Sequence, residues 1–297
     1  MIKKFDEVFV DKTRLGKKIP KEEYKKKGKY IIIDQGKDKI AGFTDNEDGI
    51  FTDVPTIIFG DHTRIIKYID KPFFLGADGV KVLKSKINNA NYKYLYYALK
   101  AAYIPNTGYN RHFKWLKKVS INYPSFEKQK RIVKLLDNLS EVKNKKNEEL
   151  KLCDTLIKAR FVEMFGDPGL VHRENKVCNL ENVAEVRSSH RIFTREFTKS
   201  GVPFYRGTEI SLLANGKEPI HSYYISKARY DEITKNDSKP KIGDLLMPSI
   251  CDKGQIWLVN TSKPFYYKDG RVLCISPNRE KFNTIFFHQY MKMKSQI

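Results

Sequence analysis

The sequence lacks the signals of several protein classes. Its 297 residues include only four cysteines, Cys153, Cys178, Cys251 and Cys274, and no CxxC pair. We therefore interpret the cysteines as reduced thiols and not as a disulfide framework or a zinc site. No apolar run approaches the roughly 18 residues that a membrane-spanning helix needs. The opening MIKKFDEVFV has no apolar segment before a cleavage site, so we expect a cytoplasmic protein with no membrane partner.

Acidic residues are scarce relative to basic ones. Lys and Arg number 56 against 35 Asp and Glu, which leaves a net charge of +21. Such an excess disfavours a small-molecule enzyme and favours a polyanionic partner, although an ordinary soluble protein rich in lysine would have the same composition. At about 150 residues per domain, the length predicts two domains.

Catalytic and cofactor motifs are also missing. No GxxxxGK[ST] phosphate loop is present, and no GxGxxG follows a predicted strand. The segment Asn122-Tyr123-Pro124-Ser125 lacks the second proline and the aromatic residue of an amino-methyltransferase motif. The six histidines have no metal-ligand spacing. We therefore predict no catalytic residue, no metal and no cofactor.

Residues 125–165 form the most regular segment, with neither Gly nor Pro. Ser125 is a suitable N-cap and Gly166 a suitable C-terminal stop, so we predict one helix, roughly 60 Å long at 1.5 Å per residue. Apolar residues recur at three- and four-residue spacing, and Lys146 and Glu149 interrupt this stripe and would set its register. The predicted subunit-interface residues are Ile132, Leu135, Leu139, Val142, Leu156 and Phe161.

The segments on either side of this helix resemble each other. Four groups of motifs recur in the same order, which predicts a tandem repeat. The first two matches pair Gly28 with Gly201, and Phe59-Gly60-Asp61 with Ile242-Gly243-Asp244. The third pairs Lys71-Pro72-Phe73 with Lys263-Pro264-Phe265, together with Asp78-Gly79 and Asp269-Gly270. The fourth pairs residues 91–100 with residues 283–292. Strand-like runs such as KYIIID, PTIIFG and IWLV cluster without regular strand–helix alternation. We therefore predict an α+β fold and not a doubly wound sheet.

The stretch from Tyr103 to Pro168 carries the most specific resemblance. It reads IPNTGYNRHF, then KWLKKVSINYPSFEKQKRIVKLLDNL, then LIKARFVEMFGDP. The matching residues are Thr107-Gly108, Ile121, Pro124, Glu127, Gln129, Ile132, Leu136, Arg160-Phe161 and Met164-Phe165-Gly166-Asp167. This pattern resembles the specificity (S) subunit of Type I restriction–modification systems.

The resemblance implies two target-recognition domains, 1–124 and 166–297, joined by a spacer helix over 125–165. In that family each domain reads one half of a split double-stranded DNA site. The conserved helices form a coiled coil that docks methyltransferase subunits and, through them, the restriction subunit. The S subunit has no catalysis of its own.

A family member of full length has a second conserved helix, and this sequence stops before it. We therefore expect the exposed stripe to pair with another copy of the chain or with a separately encoded helix. Three alternatives stay open: a truncated or silent S subunit, an autonomous DNA-modifying enzyme, and a basic coiled-coil assembly or RNA-binding protein.

DNA recognition needs cations for phosphates and polar side chains for base edges. Loops that offer both occur at equivalent places in the two copies. The candidate DNA-binding residues are Lys17, Lys18, Tyr24, Gln35, Lys37 and Arg111 in the first copy, and Arg187, Ser188, Arg191, Arg206, Thr208 and Lys253 in the second.

Overall fold

The computed structural model describes residues 1–76, 78–170, 178–219, 223–235, 239–250 and 254–295. The chain divides into two compact units, residues 1–148 and 149–297, with the boundary inside the long central helix. Among the described residues, no helix is both long enough and apolar enough to cross a membrane.

The first unit contains nine strands and the start of the long helix. Its strands are β1 (Ile2–Lys4), β2 (Phe9–Asp11), β3 (Tyr30–Ile33), β4 (Gly42–Thr44), β5 (Thr56–Gly60), β6 (Ile66–Ile69), β7 (Phe73–Leu75), β8 (Val80–Ser85) and β9 (Ser120–Asn122). Its helices are α1 (Phe5–Val8), α2 (Tyr92–Ala101), α3 (Phe113–Leu116) and α4 (Phe126–Phe165), the last of which continues into the second unit.

The second unit has the same kinds of element. Its described strands are β10 (Ala184–Arg187), β11 (Phe197–Thr198), β12 (Val202–Tyr205), β13 (Tyr224–Ile225), β14 (Leu245–Pro248), β15 (Trp257–Leu258), β16 (Tyr266–Tyr267) and β17 (Val272–Pro277). Its further described helices are α5 (Gly207–Ala214), α6 (Lys227–Ile233) and α7 (Thr284–Lys294). The mixed α+β fold with one long central helix is as predicted.

The two units share the strand order of the main sheet and the parallel pair of the smaller sheet, which has a fourth strand, β11, in the second unit. An antiparallel sheet has the order β2-β8-β5-β6 in the first unit and β10-β17-β14-β15 in the second. A smaller sheet pairs β3 in parallel with β7, and its counterpart pairs β12 in parallel with β16. The strand next to each parallel pair, β4 or β13, runs antiparallel. The repeated strand order confirms the internal repeat.

One sequence match within the repeat is wrong. Gly60-Asp61 lies at the end of β5, whereas Gly243-Asp244 precedes the equivalent strand β14. Gly and Asp favour turns at either end of a strand, so this dipeptide alone cannot align two strands. In contrast, Gly79 and Gly270 both adopt positive φ, +89° and +63°, just before the equivalent strands β8 and β17.

Both copies begin their helix with the same cap. The Asn91 side chain accepts a hydrogen bond from Tyr94 N at 3.1 Å, and the Asn283 side chain accepts one from Ile285 N at 2.9 Å. An asparagine cap stabilises a helix by about 1 kcal/mol. The buried face of α2 then packs Leu95 against the main sheet of the first unit.

The long helix α4 begins and ends where the sequence predicts. Ser125 O accepts a hydrogen bond from Gln129 N at 2.9 Å, and Gly166 at φ +79° ends the last turn. Asp137 joins α4 to α2, because it accepts hydrogen bonds from Lys93 Nζ at 2.6 Å and from the Tyr97 hydroxyl at 2.7 Å. Although burial raises the pKa of Asp137, these two donors hold it below its usual value.

Candidate nucleic-acid interface

Three loops of the first unit meet at the edge where the parallel strands β3 and β7 end. Ile19 N donates to Leu75 O at 2.9 Å, and Leu75 N donates to Lys17 O at 3.1 Å. The Gln35 side-chain nitrogen donates to Asp78 O at 3.0 Å. The carboxyl ends of the parallel strands β3 and β7 therefore bring these loops to one edge of the sheet. We name these loops edge 1, formed by residues 12–18, 34–38 and 78–79.

The cations of edge 1 stand beside exposed carboxylates. Lys17 Nζ lies 3.1 Å from Asp48, and Lys18 forms an ion pair with Asp78. The hydrogen bond and charge of Lys18, together with the charge of Arg111, lower the pKa of Asp78. Exposed ion pairs contribute only about 0–1 kcal/mol, so a phosphate can replace these carboxylates at little cost. Edge 1 therefore brings Lys17, Lys18 and Arg111 within reach of one polyanion.

Gln35 occupies the centre of edge 1. Its amide oxygen accepts a hydrogen bond from His62 N at 3.1 Å, and a Cβ at Gly79 would lie only 2.8 Å from its amide atoms. The His62 ring stacks on Tyr109 with ring centres 4.9 Å apart and planes 14° apart. Tyr109 is 88% exposed and offers its other face to solvent. No sequence pattern links His62 with Tyr109, so the sequence did not reveal this pair.

The two remaining first-copy candidates lie in different environments. Lys37 is exposed in the loop after β3. Tyr24 packs against the buried cluster of Ile19, Ile32 and Phe74. Its aromatic ring is half-buried by this packing, and its contact with DNA stays a prediction.

The second unit brings equivalent loops together. Lys268 N donates to Tyr205 O at 2.9 Å, which joins the end of β12 to the loop after β16. Gly270 N donates to Ser188 Oγ at 3.0 Å, which joins that loop to the segment after β10. We name these loops edge 2, formed by residues 187–191, 206–208 and 268–270. Its position in the topology matches that of edge 1.

Arg206 is held in a fixed orientation at edge 2. Its Nε and Nη2 lie 3.2 Å and 3.1 Å from the carboxylate of Glu209, and its guanidinium lies 4.5 Å from the centre of the Tyr223 ring. Thr208 and Arg191, in the same loops of edge 2, are exposed. A guanidinium fixed in this way is preorganised for two-pronged hydrogen bonding to a guanine edge or a phosphate.

Arg187 has a structural role inside the second unit, and its contact with DNA stays a prediction. Its side chain is only 19% exposed, and its Nη2 lies 3.1 Å from Asp244, which is 1% exposed. Its Nη1 donates to Ser276 Oγ at 2.7 Å. These partners hold the two Nη atoms inside the unit, whereas the buried Nε has no hydrogen-bond partner among the described residues. Lys253, the last candidate, lies outside the described residues.

The predicted interface stripe of α4 divides into covered and exposed members. Ile132 packs against the core of the first unit, and Phe161 is 7% exposed, with its ring centre 5.4 Å from that of Phe286. Phe161 is therefore buried within its own unit and Ile132 is half-buried, and their roles as interface residues stay predictions. The members between 56% and 61% exposed are Leu135, Leu139, Val142 and Leu156.

A comparison with protein-family models gives one match. Residues 1–152 match the model described as the Type I restriction modification DNA specificity domain, which is just over half of the chain. No curated protein sequence matches the chain.

Solved structures give several matches at low sequence identity. The S subunit of a Type I restriction–modification system from M. genitalium is 18% identical, with a TM-score of 0.52, over 98% of this chain and 77% of that one. The HsdS subunit from Thermoanaerobacter tengcongensis is 16% identical, with a TM-score of 0.35, over 84% of this chain and 66% of that one. A chain from a study of complex assembly and conformational transition of the type I R-M system is 15% identical, with a TM-score of 0.42, over 98% of this chain and 79% of that one. The first match supports the fold.

Proposed function

Because the chain belongs to the family of Type I restriction–modification DNA specificity domains, we propose that it recognises a two-part site in double-stranded DNA. The observation that carries this proposal is the repetition of one basic loop edge. Edge 1 and edge 2 are built from topologically equivalent loops, and each combines cations with polar side chains. Two similar readers in one chain suit a target with two halves.

The division of labour at each edge follows from its chemistry. Lys17, Lys18 and Lys37 are exposed and suit phosphates, which set affinity without reading sequence. Gln35 and Arg206 are held by neighbours and suit base edges, because base readout needs fixed donors and acceptors. Gln35 has both amide ends in hydrogen bonds within edge 1, so any base contact uses its remaining hydrogen-bonding capacity.

We further propose that the chain directs methyltransferase and restriction subunits to this site and carries out no reaction itself. The exposed stripe of α4 supports a role in assembly, since apolar side chains at coiled-coil spacing gain free energy when a second helix covers them. Assay of the isolated chain for DNA methylation tests the absence of catalysis. Methyl transfer by the purified chain alone would contradict it.

Duplex DNA binding is expected to weaken steeply as salt rises. Six to ten phosphate contacts would lower the affinity by roughly 10³–10⁵ between 50 and 200 mM salt, because each contact releases condensed counterions. Titration of a labelled duplex at several salt concentrations measures this slope, and competition with RNA of the same length is the control. An affinity independent of salt, or a preference for RNA, would overturn the proposed function.

A further inference from the structure

A basic cleft of about 760 Å³ lies in the first unit, next to edge 1, with which it shares Lys37. It is bounded by β6, which is the outermost strand of its sheet, by α2 and by the loop after β3. The α2 wall presents Lys93, Tyr96, Tyr97 and Lys100, whose spacing of three, four and seven residues places them on one helix face. The cleft therefore has one wall of two lysines and two tyrosines facing a strand.

The charge of the cleft is strongly positive. Six basic residues line it, against one acidic residue, Asp137. The basic residues are Lys37, Lys39, Arg64, Lys67, Lys93 and Lys100. Tyrosine hydroxyls add neutral hydrogen-bond donors. A surface of this composition suits an anion whose charge is spread over several groups.

Some of these cations hold the walls in place. Lys67 Nζ donates to Asp38 O at 2.6 Å and lies 3.4 Å from the Asp34 carboxylate. Burial lowers the pKa of Lys67, and the charge of Asp34 opposes that effect. Arg64 Nη1 donates to Ile104 O at 3.2 Å. These side chains are occupied by the fold and fix the shape of the cleft.

Other cations are available to a ligand. Lys37 and Lys39 are exposed, and neither forms an ion pair with any residue that the structure describes. Lys100 is exposed at the end of the α2 wall, where its Nζ lies 3.2 Å from the Tyr96 hydroxyl. The available positive charge is thus spread between two walls of the cleft, so that one ligand can meet both.

The cleft begins where edge 1 ends. Thr63 lines the cleft, and its hydroxyl donates to Gln35 O at 2.6 Å. Lys37 belongs both to the cleft and to the loop that carries Gln35. A polymer lying across edge 1 can therefore continue into the cleft without a gap, whereas a small ligand would use only part of it.

We propose that this cleft binds the phosphodiester backbone of the DNA that flanks the bases read by edge 1. This inference rests on the proposed function and extends it to a second binding surface of the first unit. It assigns Lys39 and Lys100 to phosphate binding, with no role in reading sequence. The footprint of the first unit on DNA is then longer than the base pairs that edge 1 specifies.

The test is the salt dependence of duplex binding by the double variant Lys39→Ala, Lys100→Ala. Loss of two phosphate contacts reduces the slope of log affinity against log salt by about 1.8. Between 50 and 200 mM salt, the wild-type affinity should then fall about tenfold more than that of the variant. The matched control is Lys26→Ala, Lys27→Ala, which removes two exposed lysines of the same unit that do not line the cleft.

The outcomes separate this inference from the proposed function. The inference is overturned if the cleft variant has the same salt slope as the wild type, or if the control variant lowers the slope as much as the cleft variant does. Either result leaves the proposed function standing. No duplex binding by the wild type overturns the proposed function. The wild type could also bind ATP or polyglutamate, and the cleft variant could lose that binding while its salt slope for duplex DNA stays unchanged. This result assigns the cleft to a small or a peptide anion and also overturns the inference.

Discussion

Replacing Leu135 and Leu139 by glutamate is expected to weaken self-association of the chain by at least about 100-fold. Both leucines lie more than half exposed on α4, at the three- and four-residue spacing of a coiled-coil seam. Burial of such side chains against a second helix stabilises a complex by about 1.5–3 kcal/mol for each fully buried one. Loss of about 3 kcal/mol corresponds to roughly two powers of ten in the dissociation constant. Sedimentation velocity over a range of concentrations measures the change.

The control for this variant lies on the same helix. Asn144→Glu, Asn147→Glu adds the same charge at exposed positions away from the stripe and should leave association unchanged. If the wild type is a monomer at every concentration and captures a methyltransferase subunit as well as the Leu135, Leu139 variant does, the stripe is not an assembly surface.

Removing either partner of the Arg187–Asp244 pair is expected to destabilise the second unit by about 3–5 kcal/mol. Removing Arg187 leaves the buried Asp244 with only the half-exposed Arg279 as a charged partner, and removing Asp244 leaves the largely buried Arg187 without its nearest carboxylate. Breaking a buried pair in this way costs more free energy than the pair itself contributes. Asp244 also accepts a hydrogen bond from Lys241 N at 2.9 Å and lies 3.3 Å from Arg279, so Asp244→Ala leaves two cations beside an empty site. Urea unfolding of Arg187→Ala and Asp244→Ala measures the free energy of unfolding.

A double-variant cycle shows whether the two groups act together. Arg187→Ala, Asp244→Ala should cost clearly less than the sum of the single variants, because no buried charge is then left alone. Arg191→Ala removes an exposed arginine from the same edge and should change stability by less than about 0.5 kcal/mol. If Arg187→Ala instead leaves stability unchanged and relaxes DNA specificity, Arg187 reads bases and the structural assignment is wrong.

Local signals predicted much of the fold. The ends of α4 follow from Ser125 and Gly166. These residues act on backbone groups close to them in sequence, so a short stretch of sequence is enough to recognise them. The strand runs are local in the same sense. The repeat emerged because these local signals recur in one order. The Gly-Asp match was wrong because a Gly-Asp turn occurs both before and after strands, so it does not show which end of a strand it adjoins.

The partners of single side chains could not be predicted in this way. Arg187 looked like a DNA contact because its neighbours in sequence are polar and basic, whereas its partner Asp244 is distant in sequence and adjacent only in the sheet. The three- and four-residue spacing of apolar residues predicted the stripe on α4, but the sequence does not show that Ile132 and Phe161 pack within the chain's own units. Gln35 lies in edge 1, while its hydrogen bonds to Asp78 and His62 depend on the parallel pairing of β3 and β7.

The central claim is that the two edges read two separate halves of one DNA site. The most direct test is to sequence the duplexes that the wild-type chain retains from a random library at moderate salt. We expect two short motifs separated by a spacer of constant length and variable sequence, because each edge specifies only the bases that it contacts. A single continuous motif, or no enrichment above the starting library, would contradict the account.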